Sequence, residues 1–403
     1  MSNLKSRIFF VFAIHAIAAV PLTDYDDPVD FLETEVVIVG GGSSGIAAAQ
    51  VLHEANVDFL LLEADQTIGG RIKHHQFGDY VVENGANWIH GPYTEDDKPI
   101  NNPIWDFKNK YNMSGSFTDW VDQTLMTRDG KDVSDEANMD NWWEVLDNAD
   151  SFCFDKGQEL LENAKRENPG NPESIDVSLE HCLDEFGYSN SYNTTLNGLV
   201  GRFLKYYEFD MSYTIPSANM SLMLWSGEHQ DAVEYIDDDF LITDQRGYNI
   251  FLNEISHPFQ RSIKVRHQVT HISYNNSGVK VIAIVNGVKN AESKSMKQEN
   301  ARIQVRAKYA ICTVPLGVLQ KGKIAFSPSL TIKKMASING MKMGNYAKVY
   351  LRFPYNFWGE KEHLIILGEP IGLASVGINL DHPKYLPGSK TITFGPAQIS
   401  QRI

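Results

Sequence analysis

Cysteine is scarce. Three occur in 403 residues, Cys153, Cys182 and Cys312, which excludes a disulfide-stapled framework and leaves room for at most one bridge. Cys153 with Cys182 is the expected pair, while Cys312, in the strand-like run Tyr309–Val314, reads as a small buried hydrophobe. No Cys or His spacing matches a metal site, so no metal is expected, and the adjacent His74 and His75 read as a solvated turn. Basic residues are also short, 36 against 51 acids, for a formal net charge of −15. No basic stripe is present to neutralise a phosphate backbone, which excludes a nucleic-acid role. Excess acid favours cationic partners through its field and also serves solubility. A bilayer-length hydrophobic run is missing as well: the thirteen residues Ile8–Val20, apolar except for His15, fall short of the roughly 20 needed to span.

That same run has another reading. Lys5 and Arg7 precede it, and the small residues Ala16, Ala18 and Ala19 stand ahead of Pro21, the layout of a cleaved secretory signal over residues 1–19. A secreted, extracellular protein without a stable membrane anchor is the expectation. Four N-x-S/T sequons, at Asn112, Asn193, Asn219 and Asn275, agree with a glycoprotein. A chain of this length exceeds one ordinary core, and 42% apolar residues indicate a folded protein of two domains.

The stretch Glu35–Ala49 organises the chain. Four β-branched residues, Val36–Val39, run into Gly40, Gly42 and Gly45 at G-x-G-x-x-G spacing and then into small helix-compatible residues. Strand, tight turn and helix follow, and bare backbone at such a turn lets a pyrophosphate approach the amides of a helix N-terminus. After a helix to about Ala55, a second strand ends in Glu63, whose carboxylate lies where a dinucleotide's ribose hydroxyls are held. Gly69, Gly70 and Arg71 add a second close approach and a guanidinium for phosphate.

Farther on, residues 80–91 pass from strand into Gly85, Ala86, Asn87, Trp88 and His90, a stretch expected to face a ligand. From Pro92 the pattern loosens, and eight acids stand against Lys131 between Asp129 and Asp150, a solvated helix face. Helical periodicity over Trp142–Leu161 and Leu179–Phe186 predicts helices inserted into the nucleotide-binding domain, with a loop at Asn168–Pro172. Period-two alternation returns from Ile263 to Ile311 as a meander of half-buried strands. Asn345–Phe353 reads as a further strand carrying Tyr346, Lys348 and Tyr350 on one face, and Thr391–Ala397 as a central strand.

These residues resemble the flavin-containing amine oxidases, and among them the polyamine oxidases. The motifs are VVIVGGGSSGIAAAQVL, LLLEA with GGRI, ENGANWIHG, DQRGY at 244–248, TVPLGVLQ and YAKVYLRFP, spread in order over Val36–Pro354. The resemblance implies an α/β protein with a glutathione-reductase-like FAD-binding domain, over 34–103 and 236–344, and a mixed α/β substrate-binding domain, over 104–235 and 345–403. It implies that Gly40, Gly42 and Gly45 cradle the FAD pyrophosphate with Gly70 and Arg71, that Glu63 holds the ribose, that Val269 lies beside the adenine, and that Gly85, Ala86, Asn87 and Trp88 run along the flavin.

Lys348 matches the family lysine that reaches flavin N5 through a water. His90 stands where plant polyamine oxidases carry Glu and the animal enzymes His, a position implied to orient or deprotonate the substrate amine. Tyr346 and Tyr213 are implied to line the substrate tunnel, and Ser212 replaces a substrate-binding Glu of the plant members. The family closes its FAD domain with a C-terminal Gly-Glu-His-Thr-like segment, which this sequence does not reach. The expected function is oxidation of spermidine or spermine by hydride transfer to flavin N5, with dioxygen as second substrate, giving an aminoaldehyde, an amine and hydrogen peroxide in a monomeric enzyme. The alternatives are an L-amino-acid or monoamine oxidase and a non-catalytic truncated paralogue.

Overall fold

A computed structural model describes residues 12–13, 29–95, 99–167, 175–191, 195–231, 235–236, 238–285 and 301–395. Apart from Phe12–Ala13, the expected signal segment lies outside the described residues, as do the Asn168–Pro172 loop and the sequon asparagine Asn193. The chain divides into two compact units, the first comprising residues 1–76, 81–87 and 244–343 and the second 77–80, 88–243 and 344–403.

The first unit is built on one sheet. Val36, Val37, Ile38 and Val39 are all buried, as expected of a parallel strand covered on both faces. Their strand, Val29–Val39, runs parallel to Phe59–Leu62 on one side and to Ala301–Cys312 on the other. Outward from these lie Ile263–Lys264 beyond Phe59–Leu62, and Gly278–Val285, His267–Asn275 and Ala325–Ser327 beyond Ala301–Cys312; Phe12–Ala13 pairs off this path with Ile311–Cys312. The helix Ser43–Glu54 follows the central strand and buries Gly45, Ile46 and Ala49.

The predicted meander forms, with Ile272, Val281, Ala283 and Val305 fully buried in its core. Its alternation breaks at two places: Gln304 is buried between Ile303 and Val305, and Tyr309 is exposed while Ala310 is buried. The antiparallel neighbour Gly278–Val285 ends opposite Ala307, so the strand enters a different packing environment from that point. Cys312 is partly covered, and burial raises its thiol pKa, in keeping with the hydrophobic reading. His74 and His75 lie half-buried in a strand, His74–Phe77, instead of a solvated turn, because the reversal comes later, at Gly78 with φ +62°.

Helices and two small sheets make up the second unit. Met139–Glu167 is a helix of 29 residues, and Cys153 within it is bonded to Cys182 on the helix Leu179–Phe186 across a Cα–Cα distance of 5.8 Å, the pairing expected. Ser178 caps the shorter helix by accepting from the His181 N–H, and Gly187 ends it in the left-handed region. Leu196–Lys205 continues into a π-helical turn, Tyr206–Met211, a rare geometry that recurs at functional sites. Trp142, Leu146, Leu183, Phe203, Leu204 and Phe209 pack between these helices.

The larger sheet orders its strands Val349–Arg352, Thr391–Phe394, Val376–Asn379, His363–Leu367 and Gln123–Thr127. The strand expected over Asn345–Phe353 is therefore only four residues long. Its partner Thr391–Phe394 is equally short, and the ladder ends where Val349 faces Phe394, leaving Tyr346 and Lys348 on an irregular approach. The smaller sheet sets Asp239–Ile242 between Trp88–His90 and Gly115–Phe117.

Candidate functional site

In the first unit the glycine turn forms a cradle. Gly40 takes φ +108°, which favours glycine, and a Cβ added at Gly45 would sit 1.9 Å from the Gly40 carbonyl oxygen. Gly42 precedes the helix Ser43–Glu54 in an extended conformation and makes no side-chain cap, so the first-turn amides keep their donors for another acceptor. Space above Gly42 is open to 4 Å. The second glycine pair closes on this turn: Gly69 N–H donates to the Gly41 carbonyl at 2.8 Å, and a Cβ on Gly70 would lie 3.3 Å from the Gly42 Cα.

Glu63 sits at the same turn. Its Oε2 accepts from the Gly41 N–H at 2.6 Å and its Oε1 from the Asp65 N–H at 2.7 Å, which fixes the carboxylate beside the glycine turn. Arg71 is exposed, and its guanidinium makes no ion pair among the described residues. The Gly85 N–H donates to the Lys73 carbonyl and the Ala86 N–H to that of Arg71, which ties the stretch before Asn87 to the Arg71 segment. Val269, the position implied beside the adenine, is buried next to a bulge that opens between it and His271.

The second unit holds the other candidates. Lys348 Nζ lies 5.8 Å from the ring centroid of Trp88 and 5.8 Å from that of Tyr346. Trp88 in turn packs against Trp120 at 5.8 Å between centroids, and Trp120 meets Tyr207 of the π-helical turn edge-on at 6.3 Å. His90, whose side chain is 77% exposed, pairs through Nδ1 with Asp239 Oδ1 at 2.7 Å. Asp239 Oδ2 accepts from the Trp120 indole N–H at 3.0 Å. Lys348, Tyr346 and Trp88 are thus brought together, and His90 joins them through Asp239 and Trp120. Tyr213 instead packs, half-buried, against the helical core.

Sequence reasoning missed Trp120, Asp239 and His363. His363 is buried, stacks on Trp120 with centroids 4.6 Å apart, and its two ring nitrogens find no hydrogen-bond partner among the described residues. Burial lowers its pKa below the ordinary imidazole value. These three residues stand far apart in the sequence, and only the adjacency of two aspartates with Asp239 and the Trp120 indole hinted at polar purpose.

Comparison with known proteins identifies the family. Residues 43–391 match the family model described as flavin containing amine oxidoreductase. Polyamine oxidase 6 of Oryza sativa subsp. japonica is 29% identical over 338 residues, and polyamine oxidase 1 of Zea mays 28% over 350. Each alignment covers 81% of this chain and 61% of the relative, so the chain spans about three fifths of the curated relatives' length. Lysine-specific histone demethylase 2 of Homo sapiens is 26% identical, with coverage of 93% and 42%. A solved structure from a redesign of cofactor binding in putrescine oxidase shares the fold, with a TM-score of 0.60 at 17% identity, covering 91% of this chain and 75% of that one. With a family match that runs through most of its length, the chain belongs to the flavin-containing amine oxidoreductases.

Proposed function

We propose that this chain carries the flavin cradle and the amine-binding face of an extracellular polyamine oxidase acting on spermidine or spermine. The residues of the first unit fit a dinucleotide: uncapped helix amides and open space at Gly42 suit a pyrophosphate, exposed Arg71 suits its charge, and Glu63 suits ribose hydroxyls. A bound flavin supplies the two-electron acceptor for an amine's α-hydride and passes those electrons to dioxygen, yielding hydrogen peroxide.

The observation that carries the substrate reading is the ring-lined face around Lys348. Trp88 and Tyr346 offer π-faces suited to alkylammonium groups, and the excess of acid draws polycations from a distance. His90 takes the proton from the reacting amine, because a protonated nitrogen has no electron pair to release as the hydride leaves. Lys348 orders the proton-carrying groups beside the reacting carbon. The iminium product hydrolyses to an aminoaldehyde and an amine. The Cys153–Cys182 bridge and the N-terminal signal layout support placement outside the cell.

The test is to express the chain with FAD, record its visible absorbance, and measure peroxide with spermine, spermidine, N-acetylspermine, benzylamine and L-leucine. Flavin absorbance with turnover of the polyamines is expected. Turnover of benzylamine or L-leucine alone would overturn the polyamine reading, and a colourless protein would overturn the oxidase reading.

A further inference from the structure

We propose that Asp239 is the positioning residue that sets the tautomer of His90, keeping the ring proton on Nδ1 so that Nε2 carries the lone pair offered to the substrate amine. The inference rests on the reading that His90 handles that amine, and it adds the group that makes the ring competent. His90 and Asp239 face each other across the ladder of Trp88–His90 with Asp239–Ile242, which fixes their separation by backbone register. Asp239 Oδ1 lies 2.7 Å from His90 Nδ1 and Oδ2 lies 3.0 Å from Trp120 Nε1. An ionised carboxylate only accepts and an indole N–H only donates, so the carboxylate receives a proton-bearing nitrogen on each side. Its side chain is 15% exposed against 77% for His90, which puts the anchor under cover and the working ring in the open.

Trp120 restrains the carboxylate from behind. The indole stacks on His363 and packs against Trp88, so the Oδ2 bond has a fixed donor. In the transfer itself, the N–H bond of the substrate ammonium breaks, its electron pair stays on the substrate nitrogen, and a new N–H bond forms at His90 Nε2. The resulting imidazolium donates from Nδ1 to the Asp239 carboxylate, whose negative charge stabilises it.

The arrangement makes a sharp demand on Asp239→Asn. Trp120 must still donate to an oxygen, so the carboxamide turns its oxygen to Trp120 and its N–H₂ to His90. Nδ1 then becomes an acceptor, and the ring proton moves to Nε2. Adding Trp120→Phe releases the amide to turn over and accept from Nδ1 again.

The experiment is two-bond ¹H–¹⁵N correlation of ¹⁵N-histidine-labelled protein at pH 9, without substrate, with His90→Gln assigning the signal. The expected spectra show Nδ1–H in the native protein, Nε2–H in Asp239→Asn, and Nδ1–H again in the Asp239→Asn, Trp120→Phe double variant. In parallel, kcat/KM for the polyamine falls about 10²-fold in Asp239→Asn, with no further loss on adding His90→Gln. A native ring protonated at Nε2, or at both nitrogens at pH 9, overturns the proposal, as does an Asp239→Asn ring that keeps Nδ1–H. The native spectrum decides even where a variant does not fold. Because the tautomer is read without substrate, lack of polyamine turnover counts against the oxidase reading and leaves this result standing.

Discussion

A Cβ built on Gly45 falls 1.9 Å from the carbonyl oxygen of Gly40, whereas one built on Gly42, two residues after Gly40, meets nothing within 4 Å. A side chain is thus excluded at Gly45 by packing, whereas at Gly42 it would enter open space, where the proposed pyrophosphate would lie. Gly45→Ala is expected to lower stability by about 3 kcal/mol, since backbone must move to admit the methyl group. Gly42→Ala, at φ −73°, is expected to fold within about 1 kcal/mol of the native protein. Its flavin affinity falls at least tenfold, or roughly 1.4 kcal/mol, because the methyl group takes the space above the helix amides. Urea titration and flavin fluorescence separate the two effects; equal behaviour of both variants would contradict the assignment.

Lys348 sits on irregular backbone among aromatic rings and outside the sheet core, so its removal leaves packing almost untouched. Lys348→Met is expected to keep the flavin content and melting temperature of the native protein while slowing turnover about 10²-fold. Stopped-flow reduction under anaerobic conditions, followed by mixing with dioxygen, assigns the loss to one half-reaction. Native rates in both halves would remove Lys348 from the chemistry.

The Cys153–Cys182 bridge closes a span of 29 residues between two helices of the second unit. Constraining a loop of that length in the unfolded chain is worth about 3–4 kcal/mol in the chain-entropy account. The Cys153→Ser, Cys182→Ser double variant is expected to lose stability on that scale. Dithiothreitol should destabilise the native protein equally and leave the double variant unchanged.

His363 gives a pH dependence of known sign. Its native pKa lies below that of the unfolded chain, so the unfolded state takes up a proton first as pH falls. The stability tied to the neutral ring is fully present above about pH 6.5 and is lost as pH drops toward the lower native value, by up to about 1.4 kcal/mol per pH unit. His363→Phe keeps a flat ring on Trp120 and removes two buried polar nitrogens. Urea midpoints between pH 5 and 8 are expected to flatten in the variant, with stability at pH 7 raised by about 1 kcal/mol. An unchanged slope would show that another group governs it.

Local chemistry made the cradle readable. Val36–Gly45 carries its own instructions, a β-branched run and three spaced glycines, and Leu179–Phe186 showed helical periodicity, with Ser178 and Gly187 capping it in the structure. The bridge was legible because only three cysteines exist. What escaped depended on partners distant in sequence. The strand proposed for Asn345–Phe353 has the right alternation, but the length of Thr391–Phe394 limits it to Val349–Arg352. Asp239 and Trp120 look like ordinary residues until a ladder and an indole bond set them beside His90, 149 and 30 positions away respectively. The π-helical turn at Tyr206–Met211 left no trace in periodicity, because one extra residue per turn does not disturb so short a pattern.

The pairing of Val29–Val39 with Ala301–Cys312 has a consequence for biosynthesis. Thr313 Oγ1 donates to the Gly40 carbonyl at 3.0 Å across 273 positions of sequence. At about 5–20 residues per second, a ribosome needs about 15–55 s to travel that distance after making the glycine turn. Through that interval Val36–Val39 has Phe59–Leu62 available on one side while its other edge is unpaired, the kind of edge that chaperones shield and that aggregates when they do not. The helices between, with their bridge, are translated well before the sheet is finished. Maturation thus runs from the middle of the chain outward, and the nucleotide cradle, translated before those helices, is completed after them.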